Sequence, residues 1–306
     1  MKIVVPVKTF SKNSILVNEL IELYPNSKVN LKAQAFNQTE LIEYVKGYDA
    51  MICGLEIIDE MLLKACPSIK FIAKYGVGLD NIDFEACKKF NVKVLYLKGV
   101  NKTSVAELTL GMMLSLNRNI CSTSSELKNN IWNKSGGTDL SKKTIGIIGV
   151  GNIGKELIKF LEPFGCKILV NDIVNQEDYY IKHKLKEVSK EELLKHSDII
   201  SVHTPLNAEM YHFFNKDKFN LMKSDSILIN TARGSIINTD DLRYALENQH
   251  IRGAALDVFE EEPPFNLNLV HLPNLIPTPH IGGNSIESVL AMGRSAINLL
   301  NSNISK

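Results

Sequence analysis

Ten consecutive residues constrain this chain more than any others: Ile145-Gly146-Ile147-Ile148-Gly149-Val150-Gly151-Asn152-Ile153-Gly154. They place G-x-G-x-x-G directly after a β-type apolar run and directly before a helical pattern carrying Leu157, Ile158 and Leu161. Gly149 permits a tight turn, Gly151 lets backbone approach a pyrophosphate, and Gly154 lets the helix lie close on the strand. The helix amino end adds N–H groups and the positive end of its dipole. The next apolar run ends in Asp172, eighteen positions after Gly154, where a carboxylate can accept hydrogen bonds from adenosine ribose hydroxyls. Ile173-Val174-Asn175 offers no Arg for a 2′-phosphate, so NAD is expected over NADP. The competing reading of Asp172 is a solvated strand-end carboxylate.

Around this motif the chain alternates short apolar runs with helical patterns. Runs at residues 3–7, 50–53, 69–73 and 92–97 are separated by stretches 14–23, 38–45 and 59–65 with apolar residues every three or four positions. That alternation predicts a small parallel α/β domain over the first 100 residues. A longer helical pattern follows at 103–118, with Leu108, Met112 and Leu116 in phase. Six further runs, at 144–148, 168–170, 199–202, 227–229, 254–256 and 275–277, suit a doubly wound sheet. An amphipathic pattern after Ser285, with Val289, Met292, Ile297 and Leu300, does not by itself reveal where it docks.

Charge and cysteine usage narrow the partners. The 35 Lys plus Arg nearly cancel 34 Asp plus Glu, for a net charge of +1, so no global field favours nucleic acid or a membrane surface. No apolar run reaches membrane-spanning length and residues 1–8 lack a signal-type apolar stretch, from which a cytoplasmic location is expected. The five cysteines never form C-x-x-C, which suggests neither a disulfide framework nor a metal site, and most of them are expected, reduced, in the core. Only five residues are Arg (118, 233, 243, 252 and 294), so an Arg marks a place that needs a planar fork.

Three strand-end segments hold residues suited to hydride transfer on a carboxylate-bearing substrate. They are Asn230-Thr231-Ala232-Arg233-Gly234, then Asp257-Val258-Phe259-Glu260-Glu261-Glu262-Pro263, then Thr278-Pro279-His280-Ile281-Gly282-Gly283. Ligands of open α/β sheets bind at the carboxyl ends of strands. An Arg fork can hold a carboxylate, a His can shuttle a hydroxyl proton, and a carboxylate can orient that His. Taken singly, a strand-end Arg, Glu or His is more often part of a surface ion pair. The other histidines (183, 196, 212, 250 and 271) read as solvated, and Trp132 as packed, with a partner surface as its alternative.

These segments together resemble the D-isomer-specific 2-hydroxyacid dehydrogenases, in their phosphoglycerate dehydrogenase-like branch. Further matches are Tyr75-Gly76-Val77-Gly78-Leu79-Asp80-Asn81-Ile82-Asp83 and Ser104-Val105-Ala106-Glu107-Leu108-Thr109, so the resemblance spans essentially the whole chain. It implies an α/β architecture in which a Rossmann-type doubly wound parallel sheet domain, 101–285, is inserted into a smaller flavodoxin-like substrate domain, 1–100 plus 286–306. It implies Arg233 as the substrate anchor, Glu262 as the residue that orients and charges His280, and His280 as acid/base. Cofactor contacts are implied at Asn152 and Ile153, at His203, Thr204 and Pro205, at Thr231 and Ala232, at Asp257, and at Gly282 and Gly283. Substrate contacts are implied at Gly76, Val77 and Gly78, at Asn101, and at Lys74, which stands where phosphoglycerate enzymes often carry Arg. Leu97-Lys98-Gly99-Val100-Asn101-Lys102 departs from the family's usual Thr-Pro-Gly stretch and adds two cations. Lys74 is expected to neutralise a substrate phosphate or second carboxylate, with a solvated lysine as its alternative; Lys98 reads first as a solvated lysine and only second as Lys74's helper.

The implied activity is NAD-dependent oxidation or reduction of a small anionic D-2-hydroxy or 2-keto acid by a homodimer without a metal. 3-Phosphoglycerate is the preferred substrate, with hydroxypyruvate, glyoxylate or another 2-keto acid as runner-up. An NAD(H)-sensing corepressor-like interaction protein on the same scaffold is the alternative from another class.

Overall fold

The computed structural model describes residues 1–264 and 267–304. The chain divides into two compact units, Met1–Asn101 with the segment from Gly283 onward, and Lys102–Gly282. The second crossing therefore falls after Gly282, three residues before the pattern change at Ser285, and Gly283 belongs to the first unit.

The first unit holds five parallel strands, β1 (Ile3–Val5), β2 (Lys28–Val29), β3 (Ala50–Cys53), β4 (Phe71–Lys74) and β5 (Lys93–Leu95). Their order, β2-β1-β3-β4-β5, is the flavodoxin-like one. Successive residues of a strand face opposite sides, so an unbroken apolar run serves two cores at once. Ile3, Val5, Ala50, Ile52 and Ala73 face one core, while Val4, Met51, Cys53 and Ile72 face the other. The final helix, Ile286–Ile304, lays Met292, Ala296, Ile297 and Leu300 into the first of these cores, against Leu16 and Leu20. That docking closes a unit whose strands come entirely from the other end of the chain.

The second unit holds β6 (Thr144–Ile148), β7 (Lys167–Asn171), β8 (Lys186–Glu187), β9 (Ile199–Val202), β10 (Ile227–Asn230), β11 (Gly253–Leu256) and β12 (Leu275–Pro277). All are parallel, in the order β12-β11-β10-β9-β6-β7-β8. This is the Rossmann order with one more strand beyond β11, and its direction of winding reverses between β6 and β9. The helix Lys102–Asn117 covers one face, burying Val105, Ala106, Thr109, Met112 and Met113.

Two strands are absent from the sequence reading, and both for the same reason. β2 and β8 are two-residue edge strands, Lys28–Val29 and Lys186–Glu187, and neither has a buried residue, so no hydrophobic pattern marks them. β4 begins at Phe71, not Ile69, and β5 ends at Leu95 rather than Leu97. Ile69 is nonetheless buried, in the approach to the strand.

Candidate active site

The switch point between β6 and β9 is built from glycines and unpaired polar atoms. Gly149 follows β6 with φ +96, and a Cβ there would lie 2.6 Å from the His203 carbonyl oxygen after β9. Only glycine combines that left-handed backbone with that approach. Nothing lies within 4 Å of a Cβ built on Gly151, so its outer side is open. Gly151 is also the N-cap of the helix Asn152–Leu161 and supplies no side-chain cap, leaving the first-turn N–H groups of Asn152, Ile153 and Gly154 for a ligand.

Asp172 accepts the Val150 N–H at 2.6 Å through Oδ2 and the Val174 N–H at 2.9 Å through Oδ1, so it braces the glycine turn. A carboxylate has about four acceptor positions, and two remain for hydroxyls. Opposite, His203 Nδ1 and Thr204 Oγ1 are buried without a hydrogen-bond partner. Burial pushes the His203 imidazole down to about 4, so the ring is neutral, and its Nε2 lies 2.9 Å from Ser201 Oγ. Orphaned polar atoms, an uncapped helix end and an open glycine on one rim fit a dinucleotide. Pro205 follows, exposed. Thr231 and Ala232 are buried at the end of β10, with Thr231 Oγ1 3.1 Å from Thr109 Oγ1 and the Ala232 N–H on Asn230 Oδ1 at 3.0 Å.

The loops after β10, β11 and β12 bring Arg233, Glu262 and His280 together. Asp257, 1% exposed, organises them. Its Oδ1 accepts Thr278 Oγ1 at 2.6 Å and the Ile281 N–H at 2.8 Å, while Oδ2 accepts the Gly282 N–H at 2.7 Å. Three bonds from one carboxylate thus clamp the segment whose centre, His280, has φ +53. Ser104 Oγ donates to the Gly282 carbonyl at 2.6 Å from the other side.

His280 Nδ1 lies 2.7 Å from Glu262 Oε2, and Glu262 Oε1 accepts the Phe259 N–H at 3.1 Å. The hydrogen bond to Glu262 raises the His280 pKa above its ordinary value; burial opposes this, the Glu262 and Asp257 charges reinforce it, and the Arg233 charge works against it. Burial alone would raise Glu262, but the His280 hydrogen bond and charge, the Phe259 N–H and the Arg233 charge bring it below the usual carboxylate range. The Arg233 field therefore reaches both members of the pair. Arg233 Nη1 donates to the Ala232 carbonyl at 2.7 Å. Its neighbour Gly234 sits under the Phe259–Glu260 peptide, where a Cβ would lie 1.9 Å from the Phe259 carbonyl carbon.

The remaining expected site residues lie in the first unit. Gly76 has φ +121 and begins a half-buried loop with Val77 and Gly78. Asn101 has a buried Oδ1 without a partner, and its Nδ2 would lie 3.0 Å from a Cβ on Gly283, so a glycine is what fits beside it. Lys74 departs from expectation. It is 4% exposed, and its ammonium donates to the Gly54 carbonyl and, at 2.6 Å, to Asn81 Oδ1. Lys98 is exposed, and Lys102 pairs with Glu156 at 2.9 Å.

Other readings change as well. Trp132 is 78% exposed, because the helix Ile120–Lys128 before it buries none of its residues and offers no core for the ring. Cys121, on that helix, is exposed, whereas Cys53, Cys66 and Cys87 are buried. His183 and His212 are not simply solvated: His183 Nδ1 lies 2.7 Å from Glu162, and His212 Nε2 contacts Glu260, since a carboxylate near in space but far in sequence escapes a local pattern. Ser104, Thr109, Asn230 and Thr278 were missed as supports; the first two lie in the Ser104–Thr109 motif, but only the fold gives them partners. Among the described residues no group of three His, Cys, Asp or Glu side chains could hold a metal, and no helix is long and apolar enough to cross a membrane.

Known proteins share this arrangement. Residues 110–282 match the family model of the D-isomer specific 2-hydroxyacid dehydrogenase NAD binding domain. The chain is 37% identical over 269 residues to a glyoxylate reductase of Thermofilum pendens, covering 85% of this chain and 79% of the relative. It is 34% identical over 289 residues to a hydroxypyruvate reductase of Thermotoga maritima, covering 92% and 93%. With a D-3-phosphoglycerate dehydrogenase of Methanocaldococcus jannaschii it shares 36% over 271 residues, 85% of this chain but about half, 51%, of that protein. The crystal structure of Aquifex aeolicus D-lactate dehydrogenase with NAD and lactic acid superposes with a TM-score of 0.87 at 28% identity, over 100% of this chain and 96% of that one. With a glycine turn braced by a strand-end acid and a strand-end His–Glu pair on a Rossmann sheet, the chain belongs to the D-isomer specific 2-hydroxyacid dehydrogenases and is an NAD-dependent oxidoreductase of that family.

Proposed function

We propose that this chain interconverts a small D-2-hydroxy acid and its 2-keto acid with His280 as the acid/base, Glu262 as its partner and Arg233 as the anchor of the substrate's carboxylate and carbonyl. The observation that carries this reading is the 2.7 Å contact between His280 Nδ1 and Glu262, inside the field of Arg233, at the carboxyl ends of β10 to β12. NAD supplies the hydride acceptor and NADH the donor. Glu262 holds Nδ1, so Nε2 is the nitrogen that meets the substrate oxygen. In reduction, His280 starts protonated and gives its proton to the oxygen as negative charge builds there. In oxidation it starts neutral and takes the hydroxyl proton. Arg233 stabilises the same oxygen and fixes the carboxylate.

The cofactor is held, in this reading, by Gly149, Gly151, Asn152, Ile153 and Gly154 at its phosphates, and by Asp172 at the ribose. His203, Thr204 and Pro205 border the adenine half, and Thr231, Ala232, Asp257, Gly282 and Gly283 the nicotinamide half. Asp257 spends three of its acceptor positions on the 278–282 segment, which leaves one for a carboxamide. Gly76, Val77, Gly78 and Asn101 contact the substrate, and the orphaned Asn101 Oδ1 supports that assignment. Phosphoglycerate, hydroxypyruvate and glyoxylate are the substrate candidates that the relatives' names supply.

The working form is a homodimer joined through the second unit. Ile120, Leu127, Ile131 and Trp132 are each more than half exposed on one short stretch of chain, an apolar surface that a second copy would cover. Light scattering should give twice the chain mass, and Trp132→Glu should give monomers; a monomeric wild type would refute this.

The activity test follows NADH absorbance across a panel of 2-keto and 2-hydroxy acids, phosphorylated ones included. Arg233→Gln and His280→Ala should each lower kcat/KM by about 10²-fold or more. Binding of NADH without turnover of any acid would replace this reading with that of an NAD(H)-sensing interaction protein.

A further inference from the structure

The carboxyl edge of the smaller sheet carries a buried polar cluster. Cys53, the last residue of β3, is in register with Lys74, the last of β4, so the two following loops leave the sheet side by side. Lys74 bridges them. Its ammonium donates to the Gly54 carbonyl of one loop and to Asn81 Oδ1 of the other. Asn81 Nδ2 returns to the first loop, donating to the carbonyls of Gly54, at 3.2 Å, and Glu56. The Asn81 carbonyl accepts the Ile58 N–H at 2.8 Å, and Glu56 Oε2 accepts the Gly54 N–H at 2.6 Å. Lys74 and Asn81 thus close a ring across the base of the loop that contains Gly76, Val77 and Gly78.

We propose that Lys74 is a positioning residue, which pins the 76–78 loop through Gly54 and Asn81, and that the site therefore selects small 2-keto acids without a phosphate. The inference rests on the assignment of Gly76, Val77 and Gly78 to substrate binding made above. Two of the three ammonium N–H groups are on the Gly54 carbonyl and the half-buried Asn81 Oδ1, so a phosphate that drew Lys74 to itself as an ion-pair partner would leave those acceptors without their donor, a loss that offsets the new contact. It would also take the ammonium away from the half-buried Glu56, whose carboxyl burial pushes up and whose ionised form Lys74 helps to stabilise. The lysines that follow the other strands of this edge, Lys8, Lys32 and Lys98, are exposed, where a cation is a poor selector.

Hydroxypyruvate and its 3-phosphate ester differ only in the phosphate, so their NADH-linked reduction is the test. Wild type should prefer the unphosphorylated acid by roughly tenfold or more in kcat/KM. Lys74→Met should lower kcat/KM for both acids by one common factor, chiefly through KM, with NADH affinity near wild type and a lowered thermal midpoint. Lys74→Arg should recover part of the loss. Should Lys74→Met fail to fold, Asn81→Ala loosens the same loop while keeping the Lys74 charge, and again a common factor is expected. A wild-type preference for the phosphorylated acid, or a loss confined to it in Lys74→Met, would overturn the proposal. Absence of turnover with either acid, at normal NADH binding, would instead remove the reading of the site, and the inference with it.

Discussion

Gly234→Ala puts the geometry of the proposed site to its sharpest test. The new Cβ would lie 1.9 Å from the Phe259 carbonyl carbon, 2.0 Å from its oxygen and 2.4 Å from the Glu260 nitrogen. All three atoms are backbone, so no side chain can swing aside. Ordinary contact begins near 3.4 Å, and the loops after β10 and β11 must therefore part by about 1.5 Å. Overpacking of this kind costs about 1–3 kcal/mol, which lowers the thermal midpoint of a unit this size by several degrees. The larger effect is on chemistry, because one loop carries Arg233 and the other Glu262. A displacement of about 1 Å in a positioned group costs about 10²-fold, so kcat/KM should fall by about that factor, while NADH, whose proposed phosphate contacts lie at the Gly149 to Gly154 turn, should lose less affinity because only its nicotinamide half borders the displaced loops. Steady-state kinetics, NADH fluorescence titration and a thermal melt read the three quantities separately. A variant with kcat/KM within about threefold of wild type would show that the separation of these loops is not what the reaction needs.

Gly151→Ala is the complementary substitution: nothing lies within 4 Å of its Cβ, so the melt should be unchanged, while KM for NADH rises by roughly tenfold because the methyl meets the pyrophosphate. Glu262→Gln removes the charge and alters the hydrogen bond that raise His280, so the His280 pKa should drop. Reduction needs the protonated ring and is lost as pH rises through that pKa, so its decline should move to lower pH in pH profiles of kcat/KM. Oxidation needs the neutral ring, and its rise should move to lower pH as well; a reductive profile that stays in place would remove Glu262 from its role.

The parallel α/β plan was legible because buried strands need apolar residues on both faces. Runs such as Ile227, Leu228 and Ile229 carry that requirement in one dimension, and the three residues divide between two cores. The glycine turn was equally legible, since Gly149 occupies a left-handed backbone held against His203. Arg233, Glu262 and His280 could be singled out as strand-end residues of the right chemistry, and the family resemblance linked them. Local sequence alone could not, because the Glu262 to His280 contact joins residues on different loops. β2 and β8 left no trace, because a two-residue edge strand without a buried residue is held by a neighbour's backbone and requires no side-chain pattern.

What the sequence determined by itself is whatever short-range physics records: periodicity, turn glycines and the residue types at strand ends. The tertiary structure decided what each charged side chain is used for. Lys74 reads as a free cation in the sequence, yet its ammonium is held by the Gly54 carbonyl and Asn81 Oδ1. Asp257 reads as a cofactor contact, yet three of its bonds hold the His280 segment. Trp132 reads as core, yet it stands exposed on a stretch with nothing to pack against. A side chain several ångströms long chooses among partners brought near by the whole fold, and that choice is made in three dimensions.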